Sequence, residues 1–520
     1  MLFRQGIIRT STVANDGLSN YNNMIIGLDI GTSSTKAVAF DHQGEVLAQH
    51  GITYPILSPQ TGYYEQDPNE IYEACVGSLS EVMRQLAREH PSQPLEGISV
   101  SSAMHALIAM DEIGNPITNS IIWADQRSES VAADLKETAQ GLDLYIKTGT
   151  PIHPMSVLCK IMWMKGHAKD TFQRAHKFIG IKEYLFFRLF NTYIIDHSIA
   201  STTGLFDIEK LSWYEPALSL AGIKSSQLSA PVSIHYALHL QDSEQATKLG
   251  VPVGTAFVIG ASDGCLANLG VGATHPGIAS VTVGTSGAVR VLSNSAIADQ
   301  QQRVFRYLLN PKQFVVGGAV NNGGVLRNWF RDTFMTELTH LPEDINTSRL
   351  FDEVISAVNP GSDGLVFLPY LTGERAPHWN ANAKGVYFGI QLQHTKGHFG
   401  RAMIEGMLFA LYSVALALEE TTGPIHTIYA SGGLARSPVW VQILADVFNK
   451  PVFVKETVES SAWGAALVGL EALGIDTNPA DHAVADNEDD SYVPNKEHHQ
   501  IYRKNFQQFE RLYQKLQDEF

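Results

Sequence analysis

Asp29-Ile30-Gly31-Thr32-Ser33-Ser34-Thr35-Lys36 is the stretch that decides the fold, because it joins two apolar runs through a turn of glycine and hydroxyl residues. Residues 24–49 read as a strand, this turn, a second strand, a turn at residues 41–44 and a third strand, which predicts an antiparallel meander. Glycine and exposed backbone amides at a tight turn let a phosphate approach closely. Gly31, Thr32 and Ser33 are therefore candidate phosphate-binding residues, with an ordinary Ser- and Thr-rich hairpin as the alternative. The stretch is not a Walker A loop, because a strand follows it and the Gly-Lys-Ser/Thr ending is absent.

A second hairpin of the same kind lies about half a chain further on. Val283-Gly284-Thr285-Ser286-Gly287 separates the apolar residues 279–282 from residues 288–292, which predicts a duplicated domain. Two such loops facing each other across a cleft could hold a polyphosphate from both sides, so Gly284 and Thr285 join the phosphate-binding candidates. Asp29, beside the first loop, could then organise Mg²⁺ through water. Capping its own turn is the alternative role for this aspartate.

Residues 273–277, where glycine and proline cluster, are the predicted boundary between the two domains. They divide the chain into a first domain over residues 24–273 and a second over residues 274–520, preceded by a disordered extension at residues 1–23. Strands and helices alternate in both parts, which predicts an α/β fold with a central cleft. Further expectations are a buried strand over 97–109 and helices over 69–89, 438–448 and 495–520.

Composition excludes several classes of function. The chain has 520 residues, 44% hydrophobic content, a formal net charge of -16 and a pI of about 5.6. This length exceeds what one core needs, and the acidic balance argues against a nucleic-acid-binding surface. The three cysteines, Cys75, Cys159 and Cys265, have no paired spacing, so they favour neither a disulfide framework nor a zinc site and fit a reducing cytoplasm. No uninterrupted apolar run reaches the roughly 20 residues of a membrane span. A soluble cytoplasmic protein is expected.

Asp263 is the candidate general base for transfer of a phosphoryl group to a hydroxyl. It follows the apolar residues 256–260 in a turn of small residues just before the predicted boundary, so it should project into the cleft. A carboxylate there can orient a hydroxyl and accept its proton, whereas capping the helix from Leu266 is the alternative. Gly432 and Gly433 form a strand-to-helix junction where a flat nucleotide ring could approach the backbone, or a plain tight turn.

Residues 385–405 carry a long pattern with fixed gaps. Gly385-Val386-Tyr387-Phe388-Gly389-Ile390 is followed after seven residues by His398-Phe399, and then by Ala402-Met403-Ile404-Glu405. This pattern resembles the second signature of the FGGY carbohydrate kinase family. Residues 155–160 with Trp163 resemble the first signature, with Val157 where small or Pro residues are usual.

The resemblance implies two ribonuclease H-like domains of the actin, hexokinase and Hsp70 group. It also implies ATP as co-substrate, Mg²⁺, and phosphorylation of a sugar or polyol hydroxyl. Asp263 corresponds to the catalytic aspartate of the family. The other implied contacts are to phosphate from Thr32, Gly284 and Thr285, and to nucleotide from Gly324, Gly433 and Ser437.

Three segments resemble those of the gluconate kinases in this family: residues 101–105, 122–127 and 149–156. Their candidate substrate contacts are Met104, His105, Arg127 and Met155, although a core histidine or a structural ion pair at Arg127 is an equal alternative. The expected reaction is phosphorylation of D-gluconate to 6-phospho-D-gluconate. Gluconate is an anion whose carboxylate needs a cationic donor. The candidate donors are His105, His153, Lys160 and Arg127.

Other interpretations stay open. A kinase for xylulose, ribulose or glycerol is the nearest alternative, and a non-catalytic sugar sensor or an actin-like ATPase is a more remote one. A DNA-binding sensor would need a basic helix-turn-helix segment, and residues 1–23 are too short and too rich in Asn and Ser to form one. The expected partners are a sugar acid and ATP, without nucleic acid or membrane, and the family resemblance alone suggests a homodimer.

Overall fold

The fold is described from a computed structural model of the chain, and it covers residues 23–295, 297–338, 347–455, 459–475 and 491–520. The extension predicted for residues 1–23 lies outside these ranges except for Asn23. Within them, one large mixed sheet is formed by the first half of the chain and a second by the other half.

The first half contains ten helices and fourteen strands among its described residues. The helices are α1 (Pro68–Glu89), α2 (Glu129–Lys136), α3 (Ala139–Thr148), α4 (Val157–His167), α5 (Lys169–Arg174), α6 (Ile181–Phe190), α7 (His197–Ser201), α8 (Glu215–Ala221), α9 (Ser243–Leu249) and α10 (Asp263–Gly270). The strands are β1 (Met24–Ile30), β2 (Ser34–Asp41), β3 (Val46–Thr53), β4 (Glu65–Gln66), β5 (Leu95–Ser102), β6 (Ile108–Met110), β7 (Ser120–Ile121), β8 (Lys177–Ile179), β9 (Ile194–Asp196), β10 (Phe206–Asp207), β11 (Ser212–Trp213), β12 (Ala230–Val232), β13 (Ala237–His239) and β14 (Ala256–Val258).

The second half continues the numbering. Its strands are β15 (Ile278–Val283), β16 (Gly287–Ser293), β17 (Phe305–Asn310), β18 (Gln313–Val320), β19 (Val366–Pro369), β20 (Gly385–Phe388), β21 (Thr427–Gly432), β22 (Val452–Val454) and β23 (Ser491–Tyr492). Its helices are α11 (Val325–Phe334), α12 (Thr347–Ser356), α13 (Lys396–Thr422), α14 (Pro438–Phe448), α15 (Ser460–Ala472) and α16 (Lys496–Leu516).

The two large sheets have the same core topology. In the first, β3, β2 and β1 are antiparallel neighbours, and β5 and β14 continue the sheet as parallel strands. In the second, β18, β16 and β15 form the antiparallel part, and β21 and β22 form the parallel part. An antiparallel strand follows in each, β13 in the first sheet and β23 in the second. This repeated order confirms the predicted pair of related α/β domains.

Both glycine hairpins connect the first two strands of their sheet. In the first hairpin the amide of Gly31 donates to the carbonyl of Ser34 at 3.0 Å, and in the second the amide of Gly284 donates to the carbonyl of Ser286 at 2.9 Å. A tight turn therefore stands at the same topological position in both sheets, and the second turn is one residue shorter than the first.

Helix α15 belongs to the second half of the chain but packs on the first sheet. Its buried residues Ala462 and Trp463 share a core with Ile25 of β1 and Phe40 of β2. Residue 273 lies between the last strand of the first sheet and the first strand of the second. Because α15 crosses back over that point, the division of the chain at this residue stays a proposal.

The strand predicted over residues 97–109 is two strands, β5 and β6, separated by residues 103–107. His105 lies in this break with a φ of 65°, a left-handed conformation that a continuous strand does not allow. The break turns the segment containing Met104 and His105 away from the sheet.

Helix α13 is the one helix among the described residues that is long and apolar enough to cross a membrane by length and composition. Its most apolar window has a mean hydropathy of 1.6, and 83% of that window is buried inside the molecule. Met403, Met407 and Leu411 of this helix belong to the core of the second domain. The helix is therefore accounted for by packing within the fold.

Candidate active site

A cavity of about 290 Å³ lies between the two sheets. Residues from both halves of the chain line it. The first half supplies Thr32, Met104, His105, Trp123, Met155 and Asp263, and the second supplies Thr282, Gly284, Ser286, Gly287, Ala288, Arg290, Phe305, Tyr307, Ala319, Arg375 and Trp379. Of the residues predicted from the sequence, Thr32, Met104, His105, Met155, Asp263 and Gly284 meet at this cavity.

Asp263 is the first residue of α10, and its neighbour Ser262 caps that helix by accepting from the amide of Cys265 at 3.4 Å. The carboxylate of Asp263 is therefore not needed as the cap and faces the cavity, with Oδ1 accepting from the amide of Gly264 at 2.6 Å. Burial raises the pKa of this carboxyl, and the positive charge of Arg290 opposes part of that rise. A buried carboxylate of raised basicity suits proton acceptance from a hydroxyl.

The first hairpin reaches the cavity through Thr32 alone. The indole of Trp123 donates to the hydroxyl of Thr32 at 2.9 Å, which ties a substrate-side segment to the loop. Gly31 and Ser33 do not line the cavity: the carbonyl of Gly31 accepts from the hydroxyl of Tyr54 at 2.6 Å, and Ser33 is exposed at the turn.

A second cavity, of about 280 Å³, adjoins the other face of the second hairpin. It is lined by Val283, Gly284, Thr285, Gly324, Val325, Arg327, Asn328, Ser348, Asp352, Gly433, Leu434, Arg436, Ser437 and Trp440. Gly284 lines both cavities, so the hairpin forms the partition between them. The predicted nucleotide residues Gly284, Thr285, Gly324, Gly433 and Ser437 all lie at this second cavity.

Glycine is required where Gly324 and Gly432 approach the hairpin. The amide of Gly324 donates to the carbonyl of Gly284 at 2.7 Å, and a Cβ on Gly324 would lie 2.7 Å from that oxygen. Gly432 has a φ of 77°, and a Cβ there would lie 2.7 Å from the carbonyl oxygen of Val283. Gly432 thus does not line the cavity itself but holds Gly433 against the hairpin.

His105 lines the first cavity as a neutral ring. Burial lowers its pKa to about 3, and the charge of Lys160 lowers it further. Nδ1 lies 2.9 Å from the carbonyl of Thr202, so Nδ1 carries the proton and Nε2 faces the hydroxyl of Tyr307 at 3.4 Å. His105 can therefore accept a hydrogen bond from a sugar hydroxyl, but it brings no positive charge.

Two family models match most of the chain. The model described as the FGGY family of carbohydrate kinases, N-terminal domain, matches residues 24–270, and the C-terminal domain model matches residues 279–473. The chain belongs to the FGGY family of carbohydrate kinases. The resemblance seen in residues 385–405 is confirmed.

Individual carbohydrate kinases are similar over nearly their whole length. Gluconokinase from Bacillus subtilis is 45% identical over 86% of this chain and 88% of its own, and xylulose kinase from Staphylococcus epidermidis is 29% identical over 94% and 96%. Two crystal structures from Lactobacillus acidophilus, a gluconate kinase and a ligand-bound xylulose kinase, each align with a TM-score of 0.88 and 34% identity, covering 95% of this chain and 98% of their own.

Four residues of this carbohydrate kinase were predicted to bind the substrate's carboxylate. Three of them, Arg127, Lys160 and His153, do not line the first cavity. Arg127 pairs with Glu65 at 2.6 Å and with Asp125 at 2.8 Å, its side chain is 6% exposed, and it stacks on Tyr63. The expectation that Arg127 contacts substrate is therefore not met, because its guanidinium is satisfied inside an ion pair.

Lys160 and His153 are also unavailable to a ligand in the first cavity. Lys160 is fully buried and donates to the carbonyls of His105, Ile121 and Ile122 at 2.6, 3.2 and 2.8 Å. Burial holds the pKa of His153 well below its usual range. Its ring packs edge-on against the cavity residue Trp379, but His153 does not itself line the cavity. Neither residue offers a charge to a ligand in the cavity.

Arg290 and Arg375 are the cations that the cavity does contain, and sequence reasoning missed both. Arg290 is on β16 and Arg375 follows the buried Glu374. Arg375 lies over the ring of Trp123 at 4.6 Å. For Arg290 the sequence offered one signal: it is the single charged residue inside the apolar run 288–292, the second strand of the predicted repeat.

Asp29 fits a weakly held divalent cation. Burial, with smaller contributions from the charges of Asp263 and Glu459, raises its pKa to about 6, although the hydroxyl of Ser101, which donates to it at 2.6 Å, and the charge of Lys36 act in the opposite direction. Negative charge thus gathers around Asp29, although no cluster of three or more ligands occurs among the described residues. Mg²⁺ suits such a place, because it keeps several waters and usually takes one or two carboxylates together with substrate phosphates.

A larger cavity of about 560 Å³ lies elsewhere, lined by residues that include His235, Asn268 and Glu471. It contains neither Asp263 nor either glycine hairpin. The smaller pair of cavities at the second hairpin is therefore the candidate active site.

Proposed function

We propose that this carbohydrate kinase transfers the γ-phosphoryl group of ATP to the primary hydroxyl of D-gluconate, giving 6-phospho-D-gluconate and ADP. The observation that carries the proposal is the pair of cavities that share Gly284, with Asp263 and two arginines in the first and glycines 324 and 433 in the second. The 45% identity with a gluconokinase supports gluconate as the substrate.

In this proposal, ATP binds in the second cavity and gluconate in the first. The carboxylate of Asp263 accepts the proton of the primary hydroxyl as the hydroxyl oxygen bonds to the γ-phosphorus and the bond to the bridging oxygen of ADP breaks. Backbone amides of the second hairpin, which separates the cavities, are placed to hold the phosphates. His105 and Trp123 position the sugar chain.

Asp29 is the residue that would hold Mg²⁺ through water. The ion, when bound to ATP, neutralises charge on the β- and γ-phosphate oxygens. Thr32, three residues after Asp29 in the sequence, supplies a cavity hydroxyl whose position is set by Trp123.

A ketose kinase is the second candidate, since one of the aligned structures is a xylulose kinase. Arg290, which has no partner among the described residues, favours an anionic substrate over a neutral ketose, because a guanidinium binds a carboxylate through charge-assisted hydrogen bonds. Identity points the same way, at 45% for a gluconokinase against 29% for a xylulose kinase.

The test is ADP formation by purified protein with Mg²⁺ and ATP, using D-gluconate, xylulose, ribulose and glycerol in parallel. Gluconate should give the highest kcat/KM, and Asp263→Asn should lower kcat by about 10²- to 10⁴-fold. Asp242→Asn, which alters an exposed helix cap at α9, is the matched control and should leave kcat unchanged. Faster turnover of another sugar would replace gluconate, and no sugar-dependent ADP release would favour a sensor.

The proposed partners are two small molecules, the sugar acid and ATP. A cytoplasmic location is also proposed, because the cytoplasm supplies ATP and reducing conditions for the three free cysteines. A homodimer is proposed from the family resemblance, and light scattering of the purified protein checks it.

A further inference from the structure

Arg290 has no hydrogen-bond or ion-pair partner within the part of the chain that the structure describes, and its half-buried side chain lines the first cavity. Its Nε atom is buried and unbonded. Buried cations in proteins are normally paired, because an isolated charge in a low-dielectric site is strongly unfavourable. Asp263 is the negative charge that acts most strongly on Arg290, but the two side chains form no ion pair, so the guanidinium is free to bind an anion in the cavity.

We propose that Arg290 binds the carboxylate of the sugar acid and thereby selects aldonates over neutral sugars and polyols. This inference rests on the proposed function, and it names the group that confers the specificity. A guanidinium offers a planar fork of donors that matches a carboxylate with two parallel hydrogen bonds.

The fold makes a slot for this side chain with two glycines. A Cβ on Gly317 would lie 3.0 Å from Cγ of Arg290 and 2.8 Å from the ring of Phe305. A Cβ on Gly264 would lie 3.3 Å from Nε of Arg290 and 3.3 Å from Cε of Met104. Side chains at either position would crowd the arginine, so the route of Arg290 into the cavity depends on their absence.

The backbone of Arg290 lies along β16 beyond the phosphate hairpin, and its guanidinium reaches Gly264, the residue after Asp263. Ala288 and Arg290 both face the cavity, whereas Val289 between them is in the core of the second domain. Arg290 is three residues beyond Gly287, which places its Cα about 10 Å further from the phosphate hairpin at about 3.3 Å per residue. Because the side chain of Ala288 is small, the part of the cavity between Gly287 and Arg290 has room for a carbon chain.

Arg375, the other cation of the cavity, already has partners. Its Nε donates to Asn321 at 2.8 Å and its Nη2 donates to the carbonyl of Val320 at 3.2 Å. Its guanidinium also lies over the ring of Trp123. These contacts suit a positioning role for Arg375, and they leave Arg290 as the cation whose fork is unoccupied.

The experiment compares D-gluconate with D-glucitol, which has the same carbon chain with a neutral hydroxymethyl group in place of the carboxylate. The measured quantity is the kcat/KM for D-gluconate divided by the kcat/KM for D-glucitol. Arg290→Leu should lower this ratio by about 10²- to 10³-fold, with most of the loss in KM for gluconate. Arg290→Lys should recover part of it, because a lysine keeps the charge without the fork.

Calorimetric titration of gluconate into each variant provides a readout that does not depend on turnover. Thermal melting of the same samples checks folding, and Arg290→Gln replaces Arg290→Leu if the latter does not fold. A Kd for gluconate that rises in the Arg290 variants but not in Arg84→Leu, which removes an exposed arginine of α1, supports the assignment.

Two outcomes distinguish a failure of this inference from a failure of the proposed function. If the wild-type protein phosphorylates gluconate but the Arg290 variants keep the wild-type ratio, the carboxylate binds elsewhere and only this inference is overturned. If the wild-type protein neither binds nor phosphorylates gluconate, the proposed function and the inference that rests on it both fail.

Discussion

Burial disfavours the negative charge of Asp263 and raises its pKa, and the guanidinium of Arg290 opposes part of that rise. Removing the positive charge should therefore raise the pKa of Asp263. A base is inactive when protonated, so activity is lost as pH falls through its pKa, and a higher pKa moves that loss to higher pH. Arg290→Leu should shift the acid limb of the kcat/KM profile upward, measured with D-glucitol so that carboxylate binding is not involved.

Arg290→Lys is the matched control for this shift, because it keeps a positive charge on the same strand. Its acid limb should stay closer to that of the wild-type protein than the limb of Arg290→Leu. An acid limb that is the same in all three proteins would show that another group controls the profile.

Asp263 could be predicted from the sequence and the cavity arginines could not, for a physical reason. A carboxylate at the junction of a buried strand and a helix is directed to the end of the strand by local geometry, and Ser262 leaves it free by taking the cap. Whether a cation reaches the cavity depends instead on distant partners. Lys160 is held by backbone carbonyls 38 to 55 residues away, and no local pattern reveals that.

At the scale of elements, α10 and α15 cross with their backbones in close contact. A Cβ on Gly464 of α15 would lie 2.0 Å from the carbonyl oxygen of Leu266 in α10. Gly464→Ala should force the helices apart and lower the free energy of unfolding by about 1–3 kcal/mol. Because α10 begins at Asp263, kcat should fall as well, measured together with urea denaturation.

Gly166→Ala is the comparison for this helix-crossing prediction. Gly166 is exposed in α4 and a Cβ there would meet nothing within 4 Å, so alanine should be neutral or stabilising by up to about 1 kcal/mol. Equal stability of Gly464→Ala and the wild-type protein would contradict the close crossing.

The family signature over residues 385–405 spans a buried ion pair between Arg401 and Glu405, and none of these residues lines either cavity of the candidate site. Glu405 accepts from Arg401 at 2.9 Å, from the amide of Gly361 at 2.9 Å and from the hydroxyl of Ser362 at 3.0 Å. Glu405→Ala leaves Arg401 without its carboxylate and should destabilise the protein by about 3–5 kcal/mol. Chemical denaturation measures this loss, and the KM values for ATP and gluconate should not change.

Replacing both members of the pair tests whether the loss comes from the unpaired charge. Arg401→Met combined with Glu405→Leu should be less destabilising than Glu405→Ala alone. If the double variant were instead the weaker protein, the hydrogen bonds to Gly361 and Ser362 would dominate over the charge.

Element bounds were predictable where one local rule dominated. Helix α14 begins at Pro438 and ends at Phe448 as expected, because Ser437 caps it and proline occupies its first turn. The strand predicted over 97–109 was too long, since its apolar run continues through a left-handed residue, His105. The packing of α15 on the first sheet was not predictable, because the contact joins residues more than 400 positions apart.

At the scale of the whole molecule, the proposed active site has walls from both halves of the chain. Asp263 and His105 come from the first half of the chain, and Arg290 and Gly284 come from the second. A sugar acid bound between Asp263 and Arg290 would attract both walls, and ATP at the second hairpin would meet Thr32 of the first. We therefore expect the two ligands together to favour a more closed arrangement than either ligand alone.

Small-angle scattering with gluconate and a non-hydrolysable ATP analogue measures this closure as a decrease in the radius of gyration. The decrease should be largest with both ligands, because only then are contacts made across both hairpins, and excluding water strengthens the charge interactions inside the cavity. Arg290→Leu should show a smaller decrease at ligand concentrations that saturate the wild-type protein. Myo-inositol at the same concentration controls for solvent contrast. Identical curves with and without both ligands would mean that the cavity is already in its catalytic arrangement, and the specificity for the carboxylate would then come from the preformed slot at Gly264 and Gly317.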